Sequence, residues 1–321
     1  MSPSVSVALA TYNGGRYLEE QLRSILDQVP APAELVVADD GSTDDTLAIV
    51  ERVAAEYPTV RLRMLAAQAT PLGVAGNFTR AIGAATGDLV ALSDQDDRWH
   101  PGRLAAVLAH FDDPAVTFVH HDAELIDGSG ERLDQRLLDW LRITPTEREQ
   151  LLEGRAFEAY LRRNLATGAT VVFRRTLAQA ALPIGEGWIH DEWFAIIAAA
   201  HGGARLDPAA LVDYRQHGAN EIGVSRPTLR YLLGRMLQPR GDRYVWLAAR
   251  SAALAARLES MGVDERWLGL AREKSRFESR RAQYPSARLA RVRPILAQRR
   301  DYARLSSQGT LDILRDLMHP A

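Results

Sequence analysis

Five short apolar runs, each separated from the next by a segment of helical spacing, constrain the first 120 residues more than any other feature. The runs are Val5 to Ala10, Leu35 to Ala38, Val60 to Leu65, Leu89 to Leu92 and Val116 to His120. Between them, Leu18, Leu22, Ile25 and Leu26 recur at helical spacing, as do Leu47, Val50 and Val53. Gly73 to Ala85 and Pro101 to Phe111 complete the alternation. Strands and helices in this rhythm predict βαβ units, hence an α/β fold: a mostly parallel sheet with helices on both faces. Ligands of such sheets lie beyond the carboxyl ends of the strands.

Three of those strand ends are unusually polar: Thr11-Tyr12-Asn13-Gly14-Gly15, Asp39-Asp40, and Ser93-Asp94-Gln95-Asp96-Asp97. The last places three carboxylates within four residues of a buried run. Like charges so close repel, and each is costly to desolvate, unless a divalent cation reverses that cost. In an extended backbone Asp94 and Asp96 share one face and Asp97 points the other way. Hard oxygen ligands at that spacing suit Mg2+ or Mn2+ carrying substrate phosphates. An acidic turn before the helix that Pro101 starts is the open alternative. No Gly-x-Gly-x-x-Gly motif and no P-loop is present, so phosphate would be held by metal and basic side chains.

The second half is less regular. Residues 122–150 read as an insertion with a turn at Asp127-Gly128-Ser129-Gly130 and a polar helix. Ala169 to Phe173 is strand-like, and Gly185-Glu186-Gly187-Trp188-Ile189-His190-Asp191-Glu192-Trp193 leads into an apolar helix, Phe194 to Ala200. Asp191 is either a helix cap or a carboxylate tuned for base work by neighbouring rings. In the last strand-like run, Leu211 to Tyr214 and beyond, Arg215 and His217 lie two apart, so an extended backbone aims both to one side, suited to a diphosphate and its metal.

Net charge is only −2, yet residues 226–321 hold 20 basic against nine acidic residues, a balance of +11 that leaves −13 on 1–225. That asymmetry predicts a basic, mostly helical region facing either water or something anionic. A solvated helical hairpin is one reading; a peripheral surface for anionic lipid and a lipid-diphosphate acceptor is the other. No nucleic-acid motif is present. There is no cysteine, no stretch of 18 apolar residues and no charged-then-apolar leader, so the expected location is cytoplasmic, peripheral on the inner face of the membrane.

In their order, Ala-Thr-Tyr-Asn-Gly (10–14), Val-Ala-Asp-Asp-Gly-Ser-Thr-Asp (37–44), Asn77 with Ala84 to Asp88, Ser-Asp-Gln-Asp-Asp (93–97) and His-Asp-Glu-Trp (190–193) resemble the family 2 glycosyltransferases of the GT-A fold. With Tyr-Arg-Gln-His-Gly-x-Asn, they look like the bacterial subgroup described as rhamnosyltransferases. The resemblance implies a catalytic domain over 1–225, its nucleotide-sugar half about 1–120 and its acceptor half about 121–225. It implies donor contacts by Thr11, Tyr12, Asn13, Asp39, Asp40, Asn77, Asp94 and Arg215. Asp96 and His217 would serve the metal, and Asp191 would be the catalytic base. Trp188, His190, Glu192 and Trp193 would stand on the acceptor side. The implied partners are a dTDP- or UDP-sugar and a glycan or lipid-diphosphate-linked acceptor. Two alternatives are a sugar-1-phosphate nucleotidylyltransferase, whose Gly-rich N-terminal loop is missing, and a non-catalytic sugar-nucleotide-binding protein.

Overall fold

A computed structural model describes residues 3–217 and 241–319. Gly218 and Asn220 of the last motif, and the expected boundary at 225/226, lie outside the described residues. The chain divides into two units. The first takes the described residues of 3–156, 165–183 and 189–217; the second takes 157–164, 184–188 and 241–319.

The first unit opens with β1 (Val5–Thr11), α1 (Leu18–Leu26), β2 (Glu34–Asp39), α2 (Thr46–Ala54), β3 (Arg61–Met64), α3 (Gly73–Ala84) and β4 (Leu89–Ser93). These strands pair in parallel in the order β3-β2-β1-β4. All of β4 is buried, and its unbroken apolar run follows from cover on both faces. β3 is the edge strand, and there Arg61 and Arg63 alternate with half-buried Leu62 and Met64. The chain steps outward from β1 to β3, then returns through α3 to β4 on the far side of β1. Right-handed crossovers therefore set α1 and α2 on one face and α3 on the other. The strand order reverses between β1 and β4, the place where such sheets bind ligands.

Beyond β4 come β5 (Arg98–Trp99), α4 (Arg103–His110), β6 (Phe118–Asp127), β7 (Arg132–Arg136), α5 (Leu137–Trp140), α6 (Pro145–Leu152), α7 (Ala156–Arg162), β8 (Val171–Arg174), α8 (Arg175–Ala181), α9 (His190–Ala200) and β9 (Ala204–Gln216). The sheet continues β4-β8-β6-β9-β5, with β7 on β6, and here it is mixed. β6 pairs with β9 in parallel, whereas β8 is antiparallel to both β4 and β6.

Two readings of the sequence change here. Residues 122–150 are not a separate insertion: β6 runs on to Asp127 and turns back as β7. His120, His121, Asp122 and Glu124 hide that strand by breaking its apolar pattern. The fold accommodates them with partners: His121 receives Arg103 Nε at 2.9 Å, and Asp122 accepts from the Leu138 backbone at 3.0 Å. The helix expected from Phe194 begins at His190, which draws Asp191 and Glu192 into its first turn.

Among its described residues the second unit contains most of α7 and five further helices: α10 (Arg243–Met261), α11 (Glu265–Ala282), α12 (Arg288–Ala297), α13 (Arg299–Leu305) and α14 (Thr310–Met318). α10 and α11 pack as a hairpin. Gly262 follows α10 at φ 64°, a left-handed stop that glycine adopts without strain, and Asp264 caps α11 through the Arg266 N–H at 2.7 Å. Part of the basic charge is spent inside this unit. Arg281 is buried between Glu278 (2.9 Å) and Asp316 (2.7 Å). Arg291, fully buried, donates to the carbonyls of Pro285, Ser286, Asp316 and His319. Among the described residues no helix is long and apolar enough to cross a membrane.

Candidate active site

The parallel register sets Thr11 beside Asp39 and Leu9 beside Ser93, so the three polar strand ends lie side by side. Asp39 organises the first two. It accepts from Thr11 Oγ1 (2.8 Å), the Gly41 and Ser42 N–H groups (3.0 and 2.8 Å) and Ser42 Oγ (2.6 Å). Asn13 bridges the loops, donating its N–H to Ser42 Oγ and accepting from the Thr43 N–H, both at 2.8 Å. It does so at φ 47°, a conformation asparagine tolerates better than most residues. Tyr12 is left 57% exposed at the strand end.

Asp40 accepts from the N–H groups of Leu72 (2.7 Å) and Gly73 (2.8 Å) at the start of α3. Asn77, buried, donates to the Ala38 carbonyl at 2.5 Å and so ties α3 to β2. Both side chains fix the wall around the strand ends from behind.

The acidic loop is held from two sides. Gln95 turns its amide onto Tyr12, accepting from the Tyr12 N–H at 2.8 Å and donating to the Tyr12 carbonyl at 2.9 Å. A Cβ on Gly14 would collide with that amide, so glycine is required for this approach. On the other side Arg215 is buried at the end of β9. Its backbone N–H donates to Asp97 Oδ1 (3.0 Å), its Nε to the Asp96 carbonyl (2.7 Å) and its Nη2 to Glu20 of α1 (2.6 Å). The guanidinium lies 4.7 Å over the Tyr17 ring, and that ring stacks on His217 at 5.0 Å. Glu20 also meets Arg98, which pairs with Asp213, which pairs with His100.

The three carboxylates are inequivalent. Asp97 is buried and its carboxyl is driven well above the usual range by burial and then by Asp96 and Asp94. Asp94 is raised to about 7, first by burial, then by the charges of Asp96 and Asp191. Asp96 faces His217, with Oδ2 and Nε2 2.8 Å apart. Asp94, Asp96 and Asp191 therefore share one electrostatic environment, though they come from residues almost 100 apart in sequence.

Asp191 stands in the first turn of α9, where Ile189, not Asp191, is the N-cap; its Oδ1 accepts from the Glu192 N–H at 2.6 Å. His190 beside it stacks on Phe78 at 4.2 Å, and burial lowers its pKa to about 3, so it is neutral at physiological pH. A Cβ on Gly168 would lie 3.2 Å from His190 Nε2 and 3.8 Å from Asp191 Oδ2, so this glycine lets the α9 terminus approach the segment before β8. Trp193 is a core side chain, 1% exposed and bonded to the Ala181 carbonyl at 2.8 Å. Trp188 belongs to the second unit, where Arg250 covers its ring at 3.8 Å. Glu192 is buried in the same helix turn as Asp191.

Among the described residues no three His, Asp or Glu side chains form a group able to hold a cation alone. Asp96 and His217 do meet as a pair, beside a second carboxylate, Asp94, driven toward protonation first by burial and then by its neighbours' negative charge. That donor set fits Mg2+ or Mn2+ bound by few protein ligands, with water and substrate phosphates completing the shell. Sequence reasoning missed Gln95, Tyr17, Glu20, Arg98 and Asp213. Gln95 stood inside a quoted motif and the others carry no local signal, since their roles arise from contacts 78 to 200 residues apart.

The model of the family described as Glycosyl transferase family 2 matches residues 6–178. An uncharacterized glycosyltransferase of Nostoc sp. is 34% identical over 131 residues, 41% of this chain and 40% of that protein. The dTDP-rhamnosyl transferase RfbG of Shigella flexneri is 36% identical over 99 residues, 30% of this chain and 34% of that protein. The matches thus span well under half the length of these two relatives. Among solved structures, the mannosyltransferase PcManGT of Pyrobaculum calidifontis, in complex with GDP-Man and Mn2+, aligns with a TM-score of 0.54 at 21% identity, covering 99% of this chain and 86% of that one. The fold, the strand ends that carry the motifs, and a family match over more than half the chain agree: the chain belongs to glycosyl transferase family 2 and has the GT-A fold.

Proposed function

We propose that the protein is an inverting, divalent-metal-dependent glycosyltransferase that uses a dTDP- or UDP-sugar, with L-rhamnose the first candidate. The acceptor is a hydroxyl of a growing cell-surface polysaccharide or lipid-linked glycan, met at the inner face of the membrane. One observation carries this reading: Asp94 and Asp96, at the switch point of the sheet, share an electrostatic environment with Asp191 from a separate helix. The likeness to RfbG over 99 residues supports the rhamnose assignment.

Exposed Tyr12 offers its ring to the base, on a loop that Thr11, Asn13 and Asp39 hold in place. Asp40 and Asn77 brace the nucleotide side from α3. Asp94 faces the ribose or the metal, and Arg215 keeps the acidic loop and His217 in register. Mn2+ or Mg2+ on Asp96 and His217 would neutralise charge building on the departing diphosphate. The acceptor oxygen attacks the anomeric carbon from the face opposite the leaving group. The carbon–oxygen bond to the diphosphate breaks, and Asp191 takes the hydroxyl proton. One such displacement inverts the anomeric centre. His190, neutral and stacked on Phe78, adds bulk without adding charge beside that base.

A nucleotidylyltransferase or a non-catalytic binding protein finds no comparable support, given the family match. A donor screen tests the reading. Incubation with dTDP-rhamnose, UDP-sugars and GDP-mannose should release dTDP or UDP. Release of GDP alone would overturn the donor assignment, and no release from any donor would overturn the catalytic one.

A further inference from the structure

Helix α14 is built inside out. Its charged residues Asp312, Arg315 and Asp316 are buried, while Leu311, Leu314 and Met318 are 56%, 43% and 43% exposed. The buried charges are satisfied: Arg315 donates to Asp312 at 2.8 Å, and Asp316 accepts from Arg281 and from the hydroxyls of Tyr244 and Tyr302. The exposed apolar residues are three and four apart, so they form one outward stripe.

Helix α12 packs against α14 and repeats the pattern. Arg291 and Ile295 are buried, while Leu289, Val292 and Leu296 are 88%, 40% and 63% exposed. At about 100° per residue these three fall within an arc of about 60°, with Arg288 on one flank and Arg293 on the other. Both arginines are exposed, as are Arg299 and Arg300 at the start of α13. Glu278 and Asp301 bracket a stretch that contains seven arginines and no acidic residue.

We propose that the exposed stripes of α12 and α14, with the exposed arginines of α12 and α13, dock on an anionic phospholipid bilayer. The proposal deepens the reading of a membrane-side acceptor and rests on it. Apolar side chains flanked by guanidinium groups match the two layers of such a surface, acyl chains below and phosphates above. A second copy of the chain matches it poorly. A symmetric pairing would set Arg288, Arg293, Arg299 and Arg300 of one copy against the same residues of the other, and Asp301, the one acid beside them in sequence, already faces Arg280 at 3.5 Å.

The test is co-sedimentation of the full chain with vesicles of phosphatidylcholine alone and of phosphatidylcholine with phosphatidylglycerol, at low and high salt. Donor hydrolysis without vesicles is measured in parallel. The proposal expects binding to the anionic vesicles only, weakened by salt. Leu289→Ser with Leu296→Ser should abolish it. Arg293→Ala with Arg300→Ala should lower partitioning about 25-fold, at about fivefold per arginine. All variants should hydrolyse donor as the parent does. A chain that hydrolyses donor yet ignores anionic vesicles, or binds neutral ones equally, overturns the proposal. So does a concentration-dependent dimer that the leucine substitutions dissolve. Vesicle binding by a chain that hydrolyses no donor would support the surface while overturning the catalytic reading.

Discussion

Gln95 reads both polar groups of the Tyr12 backbone with one amide, accepting from its N–H at 2.8 Å and donating to its carbonyl at 2.9 Å. This clamp joins the loop after β4, which carries the acidic residues, to the loop after β1, which carries the exposed ring. The spacing between the expected base-binding and metal-binding positions is therefore set by a residue with no chemistry of its own.

Removing the clamp should weaken donor binding more than turnover. The two bonds contribute about 1 kcal/mol each, so Gln95→Ala should raise the donor KM roughly thirtyfold with kcat nearly kept. Gln95→Glu keeps the size but loses the N–H donor, and should also raise KM. Initial rates across donor concentrations check this, and an unaltered KM in both variants contradicts it.

Arg215 is 2% exposed and engages Asp96, Asp97 and Glu20 together. A lysine ammonium cannot span the Asp96 carbonyl and the Glu20 carboxylate as a planar guanidinium does. Arg215→Lys should reduce kcat/KM on the order of a hundredfold. Glu20→Gln should cost less, because the Glu20 side chain is 42% exposed and its pairing is screened by water. A larger loss in Glu20→Gln than in Arg215→Lys would contradict this ranking.

Chelation should abolish transfer, and Mn2+ or Mg2+ should restore it. Asp96→Ala and His217→Ala should each raise the metal concentration needed for half-maximal rate by at least about tenfold, by the general dependence of affinity on ligand number. Transfer insensitive to EDTA would remove the metal from the account.

Three buried histidines set a pH limit on the first unit. Burial lowers His120 to about 4 and His190 to about 3, and holds His121 well below its ordinary 6.5. Below 6.5 the unfolded chain takes up protons that the folded chain refuses, so stability is full above that value and falls as pH drops through it. The slope approaches about 1.4 kcal/mol per histidine per pH unit until the folded groups themselves titrate. Urea midpoints should fall between pH 6 and 5, by less than three histidines alone would give, because the buried Asp94 and Asp97 carboxyls, both raised, take up protons in the folded chain and offset part of the loss. A flat profile across that range contradicts the burial of these rings.

The parallel half of the sheet was legible because β1, β2 and β4 are covered on both faces and must be apolar throughout. Asp94, Asp96 and Asp191 stood out for the converse reason, as carboxylates where burial is expected. β6 beyond His120 was not legible. His121 and Asp122 look like loop residues until Arg103 and the Leu138 backbone are seen to satisfy them. Trp193 beside Asp191 read as part of a site, yet its ring fills the core, because residues adjacent on a helix face different directions. The basic C-terminal region read as one surface, whereas Arg281, Arg291 and Arg315 bind groups inside it.

The central claim is that Asp191 accepts the acceptor's proton. Asp191→Asn keeps the size and removes the basic oxygen, so it should bind nucleoside-diphosphate sugar as the parent does while transfer falls by about a thousandfold. The decisive measurement is single-turnover transfer with saturating donor, made alongside donor affinity on the same preparation. Intact affinity with lost transfer is the predicted result. Transfer at the parental rate by Asp191→Asn would contradict it.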